Sequence, residues 1–178
     1  EAKFSHFSFA PMAAASIGQV HRAQTRDGRD LAIKIQYPGV RESIDSDVDN
    51  VAGLLRMSGL LPKKMDIEPL LRDAKQQLHD ESDYLKEGGF LQRYRDLLAD
   101  APAFALPRLH ADLTTQSVLA MDYMEGVPIE SLVDAPQAVR NRVMDLLFDL
   151  LLREVFEFRL VQTDPNFANY RYDPATGQ

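Results

Sequence analysis

Cysteine is missing from all 178 residues, which excludes disulfides, thiolate zinc sites and a cysteine nucleophile together. An excess of positive charge is missing too: 20 lysines and arginines stand against 27 aspartates and glutamates, for a formal charge of −7. Nucleic-acid binding in general relies on clustered cations that displace counterions from phosphates, so that class of function is set aside. No apolar run is uninterrupted. The longest, Val143 to Leu160, is broken by Asp145, Asp149, Arg153, Glu154, Glu157 and Arg159, and no bilayer-spanning helix is expected there. Internal repeats and low-complexity stretches are lacking, and no secretory leader is expected within this piece, any of a full-length protein falling outside it. His6, His21, His79 and His110 lack metal-ligand spacing and are read as structural or surface residues, His21 having the best claim to more. What is present, 45% hydrophobic and 26% charged residues, suffices for a globular piece with one sizeable core.

The chemistry concentrates in Val161-Gln-Thr-Asp-Pro-Asn-Phe-Ala-Asn-Tyr170, directly after a long helical run. Asp164 and Asn169 have the spacing of a kinase catalytic loop, in which a carboxylate meets the acceptor hydroxyl and an amide oxygen holds a metal. The spacing also arises by chance, and an Asp-Pro turn accounts for Asp164 equally well, so it needs a partner. That partner is Leu31-Ala-Ile-Lys-Ile-Gln-Tyr-Pro-Gly39, where alternating apolar residues place Lys34 inside a strand that Pro38-Gly39 stops. Such a lysine reaches the α/β-phosphates of ATP when a helix supplies an acidic partner. As an edge-strand residue it would instead discourage aggregation. Upstream, a kinase would carry a glycine-rich loop; here Ala13, Ala14, Ala15 and Ser16 stand in its place, with Gly18 the only glycine.

These features resemble the UbiB family of atypical kinase-like proteins, also called the ADCK group, which is linked to ubiquinone (coenzyme Q) biosynthesis. Ala13-Ala-Ala-Ser-Ile-Gly-Gln-Val-His21 is similar to the family's Ala-rich loop. Ala32-Ile-Lys-Ile-Gln-Tyr-Pro-Gly39 resembles its lysine strand, and Glu81-Ser-Asp-Tyr84 followed by Glu87 its E-x-D segment. Gln162-Thr-Asp-Pro-Asn-Phe-Ala-Asn169 resembles its catalytic loop. Two family elements are not found, the K-x-G-Q signature of a preceding helical extension and the D-F-G motif. The chain also starts without Met and is read as a fragment of a longer protein.

The resemblance implies an α+β, protein-kinase-like two-lobed fold in truncated form: a small antiparallel sheet lobe with helices over residues 1–124, and a partial helical lobe over 125–178. Within the first lobe the pattern predicts a helix through Ile44, Val48, Val51 and Leu55. A second helix opens near Asp66 and runs toward Glu81, Asp83 and Glu87, loosened at Gly88-Gly89. Strand-like runs follow at Ala105–His110 and Ser117–Met124. The second leads into a hinge where backbone near Asp122 to Met124 would meet adenine and Met121 would line the pocket; Met121 and Met124 also suit an ordinary core. A strong amphipathic helix starts at Pro136.

In a kinase the helix glutamate fixes the strand lysine, and Glu87 is the first choice for that role, Glu81 the second. The resemblance implies that Glu81 and Asp83 face the active site instead; a solvated charged face would account for all three. The expected cofactors are ATP or ADP and Mg²⁺, the nucleotide held by Ala13, Ala14, Ala15, Ser16, Lys34, Glu87, Met121, Asp122 and Met124 and the metal by Asn169. Asp164 would position, or deprotonate, water or an acceptor hydroxyl. The implied activity is ATP hydrolysis coupled to handling of lipid or quinone-precursor intermediates. It would take place with coenzyme Q biosynthesis proteins and peripheral membrane association, at the bacterial inner-membrane face, in the bacterial cytoplasm, or on the matrix side of a mitochondrion. The fragment by itself is expected to be weak or inactive. Two other readings remain open: a nucleotide-responsive pseudokinase scaffold, and a small-molecule phosphotransferase of the aminoglycoside or choline kinase type.

Overall fold

The computed structural model describes residues 3–58, 66–162 and 166–178. The chain falls into two compact units, one of residues 1–92 and 107–123 and the other of 93–106 and 124–178. The second unit thus takes a segment that precedes the hinge in sequence.

The first unit is built on an antiparallel sheet: β1 (Phe4–Phe7), β2 (Ala13–Ala15), β3 (Gly18–Thr25), β4 (Asp30–Gln36) and β5 (Val118–Asp122). The spatial order is β1-β3-β4-β5, with β2 pairing β3 beyond the end of β1. Strand residues alternate between faces, and β4 shows the consequence. Leu31 and Ile33 enter a core with Ala23 and Ala120, against which Phe4, Phe7, Ile35 and Val118 pack. Ala32, Lys34 and Gln36 are thereby turned to the opposite face, Lys34 in register between Val20 and Leu119.

Three helices follow β4 in sequence. Helix α1 (Val40–Ser58) and α2 (Glu68–Glu81) form a hairpin tied by Lys75 to Asp49 at 2.7 Å. Helix α3 (Tyr84–Leu97) is separate from α2, where the sequence pattern predicted one helix from Asp66 through Glu87. The break lies at Ser82-Asp83. Asp83 Oδ1 accepts the backbone N–H groups of Leu85 and Lys86 at 3.1 and 3.2 Å, an N-cap that starts a new helix. Gly88-Gly89 does not loosen α3. Gly88 is where the helix meets the sheet, since a Cβ there would stand 2.9 Å from Leu109 Cδ1. The run Ala105–His110 is also no regular strand: its link to β5 is a single bridge, Leu109 to Met121, with His110 N–H donating to the Ala120 carbonyl at 2.9 Å. Pro107 removes a donor from that segment.

The second unit holds β6 (Val127–Pro128) paired with β7 (Arg171–Tyr172), a 3₁₀ turn at Ile129–Asp134, and helix α4 (Gln137–Leu152). Helix α4 continues into a π-helical turn, Arg153–Phe158, that ends at Arg159 in the left-handed region with φ 51°. The core of this unit joins Leu98, Leu150 and Phe158, with Tyr94, Leu160 and Tyr170 packed against them. Among the described residues no helix is long and apolar enough to cross a membrane.

Candidate functional site

Lys34 is fixed from two directions. Its Nζ donates to Glu87 Oε1 and Oε2 at 2.9 and 3.0 Å, and it lies 4.8 Å from the centroid of the Tyr84 ring, within cation–π range. Both partners come from α3, whose first turn presents them to the Lys34 face of the sheet. Of the two carboxylates considered for this lysine, Glu87 therefore meets it, and Glu81 lies exposed at the end of α2. The Lys34 side chain keeps 20% exposure and Glu87 38%, so the pair is held without being sealed. Tyr84 is fully buried, and burial, with the nearby Glu87 charge, raises its phenol above the ordinary range.

The alanine segment is a hairpin. Ala13, Ala14 and Ala15 pair with Val20, Gln19 and Gly18, and Ser16-Ile17 makes the turn. Ala13, Ala14 and Ser16 are exposed. Among the described residues, positive φ occurs at Gly28, Gly39, Gly126, Gly177 and Arg159, so nothing in this hairpin draws on glycine's conformational freedom. Gly18 serves proximity instead: a Cβ there would stand 2.2 Å from the Ile35 carbonyl oxygen of β4. Buried His21 stacks on Phe7 and donates from Nδ1 to the Ser8 carbonyl at 2.8 Å, pinning the irregular stretch between β1 and β2.

At the far end of β5, backbone donors expected for adenine are already used. Asp122 N–H donates to the Arg108 carbonyl and Tyr123 N–H to the Asp30 carbonyl, both at 3.0 Å. The Asp122 side chain is engaged as well. Arg29 Nη1 donates to His110 Nδ1 at 3.0 Å, which leaves the ring proton on Nε2 to donate to Asp122 Oδ1 at 2.7 Å. Burial acts to raise Asp122, but the His110 and Arg108 hydrogen bonds prevail and hold it below the usual carboxylate range. Met121 shares the Lys34 face of the sheet with Leu119, and Met124 lies just past the strand.

In the second unit Asp164 lies outside the described residues. Asn169 closes a 3₁₀ turn, its N–H donating to the Asn166 carbonyl at 2.9 Å, and its side chain is exposed. Glu154, counted in the sequence only as an interruption of an apolar run, is 4% exposed. Its carboxylate accepts the Tyr94 hydroxyl and the Gln162 backbone N–H, while burial pushes its pKa up. The sequence signal was available: Glu154 falls four residues after Leu150 and four before Phe158, on the buried helical stripe.

A sheet lysine paired with a helix glutamate is the arrangement of a kinase-like fold. The ABC1 atypical kinase-like domain matches residues 1–177, and the chain belongs to that family. It is 45% identical over 174 residues to the mitochondrial atypical kinase COQ8B of Rattus norvegicus and 44% identical over 174 residues to the mitochondrial atypical kinase COQ8 of Saccharomyces cerevisiae. Each match covers 98% of this chain and 33% or 35% of the relative, so the chain spans about a third of their length. The Rv3197 protein of Mycobacterium tuberculosis, solved in complex with erythromycin, superposes with a TM-score of 0.81 at 28% identity over 97% of this chain and 44% of that one. The UbiB/ADCK resemblance and the kinase-like α+β fold expected from the motifs are borne out.

Proposed function

We propose that the chain is the nucleotide-binding part of an atypical kinase-like ATPase that supports coenzyme Q biosynthesis by acting on lipid or quinone-precursor intermediates. The observation that carries this reading is the Lys34–Glu87 pair at 2.9 and 3.0 Å. A strand lysine with a helix glutamate is the pairing that kinases use to hold ATP phosphates. The two compact units are assigned to a sheet lobe and a partial helical lobe.

Lys34 donates to phosphate oxygens, and Glu87 and the Tyr84 ring keep its position in the absence of nucleotide. Ala13 to Ser16 cover the phosphates from the β2–β3 turn, Met121 lines the adenine side, and the hinge contributes the backbone of Met124 together with the carbonyls of Asp122 and Tyr123. Asp164 accepts the proton of the attacking water; the new P–O bond forms as the bond from the γ-phosphorus to the bridging oxygen breaks, and ADP leaves. Asn169 supplies a hard amide oxygen. That donor suits Mg²⁺, which takes one or two protein ligands together with substrate phosphates and waters. Bound there, Mg²⁺ would neutralise charge on the phosphoryl oxygens. Glu81 and Asp83 stand at the α2–α3 junction, Asp83 setting the start of the helix that carries Glu87. The relatives are named as mitochondrial proteins, and the matrix side of a mitochondrion or its bacterial counterpart, with peripheral membrane association, is the proposed setting.

Turnover and binding measured together test this. Asp164→Asn is expected to lower Mg²⁺-dependent ATP hydrolysis by roughly 10²-fold or more, as for loss of a catalytic base, while ATP and ADP affinity stays within about twofold. Binding without turnover in the wild type, in the presence of lipid, would favour the scaffold reading. Phosphorylated small alcohols among the products would favour the phosphotransferase.

A further inference from the structure

Glu154 gathers the chain on its way from α4 to the loop bearing Asp164 and Asn169. Its backbone carbonyl accepts the N–H groups of Arg159 and Leu160, the latter at 3.2 Å. Its carboxylate accepts the Gln162 N–H and the Tyr94 hydroxyl. Gln162 in turn accepts on Oε1 the Tyr170 hydroxyl at 2.8 Å, which ties the residue before the Asp164 loop to the residue after Asn169. Glu154 lies four residues after Leu150 on the buried stripe of the helix, and the π-helical turn Arg153–Phe158 carries the chain on from it to Arg159. The left-handed Arg159 then reverses the chain over it.

Packing alone does not account for a carboxylate here. In surroundings of Leu98, Leu150 and Phe158, an apolar side chain of similar size would serve stability as well or better. Only an acceptor can collect these donors.

We propose that Glu154 is the positioning residue of the Val161–Tyr170 loop, and that Tyr94, Glu154, Gln162 and Tyr170 form a brace fixing both flanks of that loop. The inference rests on the proposed phosphoryl-transfer reading for its consequence in turnover, but not for the brace itself.

The test uses the full-length protein, because these 178 residues by themselves are expected to turn over ATP weakly or not at all. Glu154→Leu removes the acceptor; Glu154→Gln removes the charge and keeps one amide oxygen as acceptor, the other carboxylate oxygen being replaced by an NH2 donor. Hydrogen exchange is followed by mass spectrometry on peptides covering 159–170, with 18–36 as the control, and ATP turnover and Mg²⁺-nucleotide affinity are measured on the same samples. Glu154→Leu is expected to speed exchange at 159–162 by about tenfold or more and to lower turnover by about tenfold, with the control peptides unchanged. Glu154→Gln restores most of both. Tyr170→Phe cuts only the tie between the flanks and should raise exchange at 162–170 by about threefold, the scale of one lost hydrogen bond. Unchanged exchange in Tyr170→Phe and in Glu154→Leu overturns the brace. Undiminished turnover in a Glu154→Leu protein with fast exchange, or a Gln variant as impaired as Leu, overturns the positioning role. If the wild type itself turns over no ATP, the phosphoryl-transfer reading falls, and the exchange measurements alone decide on the brace.

Discussion

Lys34 in the first unit and Glu154 in the second are both ionisable side chains drawn out of water, and they are compensated in opposite ways. Lys34 faces a full opposite charge at 2.9 Å and retains 20% exposure. Glu154 is 4% exposed and receives a phenol hydroxyl and a backbone amide. An ion pair open to solvent can exchange one anion for another, as a lysine passing between carboxylate and phosphate must. A buried acceptor held by neutral donors has nothing to exchange with, and suits a part that stays put.

The contrast can be broken by removing one element at a time. The largest effect on stability is expected for Tyr94→Phe, about 2 kcal/mol in chemical denaturation, because a hydrogen bond to a buried acidic group is lost and cannot be replaced by water. Glu87→Gln should cost about 1 kcal/mol or less, since solvent screens a pair with this exposure, while weakening nucleotide binding by leaving Lys34 less well held. A Glu87→Gln loss as large as that of Tyr94→Phe would erase the distinction. Asp83→Ala removes the α3 cap and should cost about 1 kcal/mol. The loss should be seen equally in denaturation with and without nucleotide if the cap is all that Asp83 supplies.

The smallest effect is in the pH dependence. Burial raises the folded pKa of Glu154 above its unfolded value, so between the two values the folded state holds the extra proton. Stability then falls as pH rises through that window from about 4.3. Wild type should therefore lose stability relative to Glu154→Gln on going from pH 4 upward, as read from melting temperatures across pH. Asp122 has the opposite sign: its lowered pKa contributes stability above the ordinary carboxylate range that is lost on acidification.

Much of this was legible in the sequence where one periodicity decides. The alternation in Leu31-Ala-Ile-Lys-Ile put Lys34 opposite the core face, and that is where it lies. Helical spacing marked α1 and α4. The sequence was least informative where a side chain competes with the backbone. Asp83, taken for a site residue alone, ends one helix and begins another by capping. Gly88 looked like a weak point of a helix and is a contact point with Leu109. Gly18, the single glycine where a kinase carries a glycine-rich loop, makes room by its missing side chain for the β4 backbone. Glu154 was hidden because charge inside an apolar stripe reads as surface until its hydrogen-bond donors, 60 residues away at Tyr94 and nearby at Gln162, are brought to it.

Lys34 is proposed to hold nucleotide phosphates in a Mg²⁺-dependent manner. Calorimetric titration of ATP and ADP into the wild type and Lys34→Ala, with and without Mg²⁺, tests it most directly. Binding is expected to require Mg²⁺ and to weaken at least about tenfold in Lys34→Ala, or ~1.4 kcal/mol. Equal affinity in the two folded proteins, or no binding by the wild type, would contradict it.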